Sequence, residues 1–176
     1  MLLALSGAVS QGILWGIMVL GVFITFRMLD IADLTVDGSF ALGGSVAAVV
    51  SVNLGLDPLV AILLGMLAGV AAGLVTGILH SVLDIPAILA GILTQIALWS
   101  INLRVMGKSN TPLLNVDTVF TRLASLLGVS QVMATLIIGI VCATVVILLM
   151  YWFFGTEIGS ALRATGNNED MCRALG

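Results

Sequence analysis

Few side chains in this sequence could do chemistry, and several of those stand inside apolar runs. Asp37 is one, in Asp33-Leu34-Thr35-Val36-Asp37-Gly38-Ser39, where an apolar run barely long enough to cross a bilayer begins. A carboxylate in a span faces a cavity or a partner, where it can meet a solute or relay a proton. Its plainer role, open equally to Asp33, is to cap the first turn of a helix at the interface. Thr94, Gln95, Ser100 and Asn102 interrupt a second apolar run. Polar side chains inside a span bond to neighbouring helices or line a cavity. Asp37, Gln95 and Asn102 are therefore candidates for a translocation pathway.

Other chemistries lack their parts. Gly107-Lys108-Ser109 has the ending of a phosphate-binding loop, but that motif needs a glycine where Asn102 stands, after a strand. So no nucleotide-binding loop is expected, and no cofactor. His80 is the single histidine and has no cysteine or histidine at metal spacing. Cys142 falls in an apolar run and Cys172 in a polar stretch, so no disulfide joins them in this reading. No nucleophile–base pair suits catalysis, and the chain reads as a non-enzyme. Six Lys and Arg against nine Asp and Glu, with no basic stretch, speak against nucleic acid.

The elements that hold these residues follow from composition. The chain is 60% hydrophobic and 9% charged. A soluble domain carries roughly 45–50% apolar and about 25% charged residues, so most of this surface must meet lipid. The reading is an all-α, polytopic transmembrane helical bundle. A crossing helix needs about 20 mostly apolar residues. Five stretches fit, near 8–26, 34–53, 58–83, 85–106 and 131–154. Pro86 opens the fourth, and Tyr151-Trp152-Phe153-Phe154 ends the fifth as an interfacial aromatic cluster. Met1-Leu2-Leu3-Ala4-Leu5 has no positive region before it and reads as the lead-in to a mature span. Between the last two spans, Val119, Phe120, Leu123, Leu126 and Leu127 share one helical face, with Asp117 as the expected cap of a short interfacial helix.

Glycine placement adds two expectations. Gly65, Gly69, Gly73 and Gly77 are each four residues apart, with Ala61 one step earlier, and Gly12 and Gly16 repeat the spacing. Such a row forms a groove for close helix packing, static or sliding. Gly43-Gly44, following the polar start of the second span, points to a broken or re-entrant helix.

Residues 155–176 are polar. Their pattern predicts a helix near 157–164, a turn at Gly166, an N-cap at Asn167 with Asp170 as its box partner, and a second helix near 168–175. Glu169 and Asp170 would sit at the positive end of that helix and Arg173 nearer its negative end. The domain reading is thus a transmembrane region, 1–154, and a polar tail, 155–176. Charge does not orient the chain: Arg27, Arg163 and Arg173 fall on one side, and Arg104, Lys108 and Arg122 on the other.

At this point the sequence resembles a family. Ala164-Thr165-Gly166-Asn167 and Ala174-Leu175-Gly176 look like the cytoplasmic coupling segment of ABC-importer permeases of the branched-chain amino acid and ribose class. Ile85-Pro86-Ala87-Ile88-Leu89-Ala90 resembles the start of that family's central span, and Asp37-Gly38-Ser39-Phe40-Ala41-Leu42-Gly43 its early broken helix. The likeness is strongest to permeases that accompany tryptophan- or tyrosine-type substrate-binding proteins.

The resemblance implies a permease subunit in a bacterial cytoplasmic membrane, moving a small solute such as an amino acid by alternating access. It implies a cytoplasmic tail and an external N-terminus. It implies an ATPase partner that binds ATP and Mg, held through Arg163, Gly166, Asn167, Glu169, Asp170 and Arg173. A substrate-binding protein outside and a second permease copy complete the expected assembly. Such permeases continue past the coupling segment, so this chain is expected to be an N-terminal portion. Two other readings stand beside it: an ion- or proton-coupled transporter, motivated by Asp37, and a non-transporting scaffold, motivated by the glycine row.

Overall fold

The computed structural model describes residues 2–114, 116–168, 171, 172 and 174. Their elements are α1 (Leu2–Phe23), a π-helical turn (Ile24–Met28), α2 (Thr35–Asn53), α3 (Pro58–Ser81), α4 (Ala87–Met106), α5 (Val119–Leu127), α6 (Gln131–Phe154) and α7 (Glu157–Asn167). The fold is all-α, and five helices are long and apolar enough to cross a membrane: Leu5–Met28, Thr35–Asn53, Pro58–Ser81, Ala87–Met106 and Gln131–Phe154.

The chain divides into two compact units, Met1–Ile31 with Leu123–Gly176, and Ala32–Arg122. In the second unit, Leu42, Ala72 and Leu98 form a small buried cluster, with Val46 and Ala68 against it. The outer face of α3 inverts the soluble pattern. Leu63, Met66, Leu67, Val70 and Leu74 are 60–64% exposed, while Ala61, Gly65, Ala72 and Thr76 are buried. Small residues let backbones approach, and large apolar ones need no burial where lipid is the solvent.

α2 is not broken at Gly43-Gly44; it runs without interruption from Thr35 to Asn53. A glycine costs a helix about 1 kcal/mol, whereas an unsatisfied backbone group in hydrocarbon costs several. The helix therefore continues. The irregular backbone lies just before it. Leu34 packs on Gly91, Gly38 on Gln95 and Ser45 on Asn102, so each pair is separated by 57 residues and α2 runs parallel to α4 in constant register. In that register Thr35 is level with Ile92, about 8 Å along α4 at 1.5 Å per residue. The non-helical residues leading into α2 thus run beside the first turn of α4. Glycine is required there: a Cβ on Gly91 would stand 2.9 Å from the Leu34 nitrogen.

The short helices also differ from expectation. Thr118, not Asp117, caps α5: its hydroxyl accepts the Thr121 N–H at 3.2 Å while the Thr121 hydroxyl accepts the Thr118 N–H at 2.7 Å. This is a capping box in which threonine replaces glutamate. α7 does not stop at Gly166. It continues through Asn167, and Asn168 leaves the helix with extended dihedrals, φ −160° and ψ 96°. Asn168 Oδ1 then accepts the Met171 N–H at 3.0 Å, so the N-cap falls one residue after the expected Asn167. Either asparagine has the side chain for that role; the run of α7 through Asn167 decides between them. Glu169, Asp170 and Arg173 lie outside the described residues, and the helix expected near 168–175 falls partly on them.

Candidate functional site

A cavity of about 400 Å³ in the second unit gathers the three pathway candidates. α2 contributes Asp37, Gly38 and Ala41; α4 contributes Gln95, Trp99, Asn102, Leu103 and Met106; Ser109 closes the lining. The constant register of α2 on α4 makes this possible, because Gln95, Trp99, Asn102 and Met106 recur at helical spacing on one face. Gly38 sets the separation: a Cβ there would lie 3.1 Å from Leu98 Cδ1.

Each polar lining group has a defined setting. Gln95 donates through Nε2 to Asp37 Oδ2 at 3.5 Å, a long bond. Asn102 is 8% exposed and accepts through Oδ1 from the Ser45 hydroxyl at 3.3 Å. Neither acid is the N-cap of α2, which is Leu34, but Asp33 does part of a cap's work from one residue earlier: its Oδ1 accepts the Thr35 N–H at 2.8 Å. Asp37 sits in the first turn of α2, where the helix dipole favours a negative charge. Beside the cavity, the Thr35 and Thr76 hydroxyls meet at 2.9 Å and tie α2 to α3. Thr94 is buried and bonds back to the Ala90 carbonyl, and Ser100 is exposed. Neither lines the cavity.

The four glycines of α3 do not share one environment. A Cβ on Gly65 would stand 2.6 Å from the Gly43 carbonyl oxygen, and one on Gly43 would stand 3.1 Å from that of Gly65. Here two helix backbones cross with no side chain between them. Gly69 has one neighbour, the Ser39 oxygen at 3.8 Å, and Gly73 and Gly77 have nothing within 4 Å.

In the first unit, Gly139 of α6 lets α1 approach: its Cβ would be 3.2 Å from Ile13 Cγ2. α7 folds against the end of α6. Thr156 caps α7 by accepting the Gly159 N–H at 3.3 Å. Arg163 Nη2 donates to the Phe154 carbonyl at 2.5 Å, and its guanidinium lies 5.9 Å from the Phe154 ring centroid. Arg163 therefore holds the C-terminus of α6. Gly159 and Gly166 are close backbone contacts: a Cβ on Gly159 would overlap Phe153 O, and one on Gly166 would overlap Met28 O. Asn167, the last residue of α7, is exposed.

Residues 4–176 match a family of permease components of branched-chain amino acid transport systems. The chain belongs to this family. It is 39% identical over 175 residues to a tyrosine transport system permease protein of Clostridioides difficile, covering 98% of this chain and 56% of that protein. It is 31% identical over 169 residues to an uncharacterised protein of Rickettsia prowazekii, covering 96% of this chain and 57% of that one. The chain thus spans about half the length of the curated relatives it matches. No solved structure matches it.

A permease needs polar groups inside its spans, and three of those in the cavity were visible in the sequence. Trp99, Ser109 and Ser45 were missed. Trp99 stands four residues from Gln95, and Ser45 stands eight from Asp37, so helical spacing was the available signal. The Thr35–Thr76 bond had no such signal, because it depends on the antiparallel register of α3 on α2. Among the described residues, no group of three or more His, Cys, Asp or Glu could hold a metal ion.

Proposed function

We propose that this chain is part of the membrane-spanning permease subunit of an ATP-driven amino acid importer in a bacterial cytoplasmic membrane. The observation that carries the reading is the 400 Å³ cavity, where Asp37, Gln95 and Asn102 meet within a unit whose other lining is largely apolar. Family membership and the tyrosine permease relative point to an amino acid. The lining fits that solute class. Asp37 is the only carboxylate among the lining residues and suits an ammonium group, the two amides suit polar atoms, and Trp99 offers a flat aromatic wall. An ATPase bearing ATP and Mg docks on the cytoplasmic tail, a binding protein delivers the solute outside, and a second permease copy completes the path. Alternating access moves the solute, with the spans differing in their solute contacts between two states.

The test is uptake into vesicles holding the full-length permease with its ATPase and binding protein. ATP-dependent tyrosine uptake is expected, and Asp37→Asn should lower it by about tenfold or more, the loss expected when one charge-assisted contact of about 1.5–3 kcal/mol is removed. Uptake that persists without the ATPase and collapses with the proton gradient would replace this reading with a proton-coupled transporter. Uptake of sugars alone would overturn the solute class.

A further inference from the structure

We infer that Gly166 is the positioning residue through which the tail helix drives the first span, and that the π-helical turn Ile24–Met28 is the joint it acts on. The inference rests on the importer reading above and goes beyond it.

α7 is gripped at two points two turns apart. Residues seven positions apart fall on one face of a helix, so Gly159 and Gly166 look the same way. Gly159 seats on the backbone of Phe153 and Phe154, at the end of α6. Gly166 seats on the backbone of Met28 and Leu29, at the end of α1; its Cβ would be 2.9 Å from Leu29 Cα and would overlap Met28 O. Both contacts are backbone to backbone, so no side chain can yield. Arg163, between them, fixes the helix to the Phe154 carbonyl. α7 is therefore a strut between the cytoplasmic ends of α1 and α6, and it cannot shift without moving at least one of them.

The end of α1 is built to give. Leu29 N bonds Ile24 O across five residues at 3.2 Å, and Ile31 N bonds Thr25 O across six at 3.0 Å. The ladder widens step by step from the four-residue spacing of an α-helix. Such π turns inside α-helices are frequent at functional sites. The contacted residues are also close in sequence to the cavity: Leu29 precedes Asp37 by eight residues. A push on α7 thus reaches the stretch of chain that leads into α2 without crossing any side-chain contact. The turn expected at Gly166 from the sequence would have placed this glycine outside the helix. In the structure it is the seat of the strut.

The test uses the full-length permease assembled with its ATPase and binding protein. In Gly166→Ala, solute moved per ATP hydrolysed should fall about tenfold, within the usual range of coupling between sites, a ratio that weaker ATPase capture alone would not change. A structural role alone would lower capture and hydrolysis together with uptake. Wild-type solute per ATP in Gly166→Ala would overturn the inference. A second measurement leaves the glycine in place. Met28→Cys, with Cys142 and Cys172 replaced by serine, is labelled with a maleimide with and without vanadate trapping. A labelling rate that changes on trapping is expected; equal rates in the two states would overturn the inference. Failure of the importer reading looks different, because the wild-type permease would then capture no ATPase.

Discussion

Gly65→Ala puts a methyl carbon 2.6 Å from the Gly43 carbonyl oxygen and 3.4 Å from Ala47 Cβ. The first neighbour is backbone, so relief must come from moving a helix. Ordinary contact begins at 3.4 Å, so the α2–α3 crossing must open by 3.4 − 2.6, or 0.8 Å. A gap of about 0.5–1 Å forfeits a quarter to a half of the attraction of each atom pair along the seam. Overpacking of this kind costs about 1–3 kcal/mol. Alanine returns up to about 1 kcal/mol of helix propensity at any interior glycine, so Gly65→Ala should come out about 1–3 kcal/mol worse than the same change where the space is open. Gly73→Ala is the comparison. Nothing lies within 4 Å of its Cβ, so it should be neutral or slightly stabilising. Unfolding by SDS titration in mixed micelles, followed by circular dichroism, measures both. Equal changes at Gly65 and Gly73 would refute the claim that this crossing, and not glycine content, sets the cost.

Three further outcomes are expected. Thr35→Val should cost about 1–2 kcal/mol by leaving the Thr76 hydroxyl without its 2.9 Å partner, and the double Thr35→Val/Thr76→Val variant should lose less than the sum; a strictly additive mutant cycle would contradict this. Gly159→Ala should unseat α7 from Phe153 and Phe154, so that trypsin cuts faster after Arg163; unchanged cleavage would show that α7 tolerates a methyl there. The Arg122–Asp57 ion pair has side chains 50% and 59% exposed, so Asp57→Asn should change stability by no more than about 1 kcal/mol. That small effect should shrink further in 1 M salt, where screening acts over about 3 Å.

Span positions were legible because lipid demands length and apolarity, and α6 falls at the expected 131–154. Helix ends were less so. Thr118 displaces Asp117 as the cap of α5, and Asn168 displaces Asn167 after α7, because neighbouring residues with similar capping chemistry compete and the backbone chooses. The candidates of the cavity were legible as types: a carboxylate and two amides inside apolar runs. Their meeting was not, since it needs the 57-residue register between α2 and α4, set by Gly38 and Gly91.

The glycine row shows why spacing alone misleads. A strict four-residue repeat advances about 40° per step around a helix of 3.6 residues per turn. Three steps from Gly65 to Gly77 therefore turn the row about 120° away from the face where it began. The buried face of α3 instead follows Ala61, Gly65, Ala72 and Thr76, alternating longer and shorter steps that hold the true helical period. The row thus contains two sets of residues. Gly65 lets α2 and α3 cross backbone to backbone, and Gly69 stands in ordinary contact at 3.8 Å. Gly73 and Gly77 present a bare strip of α3 on which nothing in residues 32–122 packs. The same division runs through α7, where the glycine read as a turn is a seat for another backbone. In α3 the glycine row announced close approach and in α7 Gly166 announced a turn, and in both only the partner on the far side decided what the glycine was for.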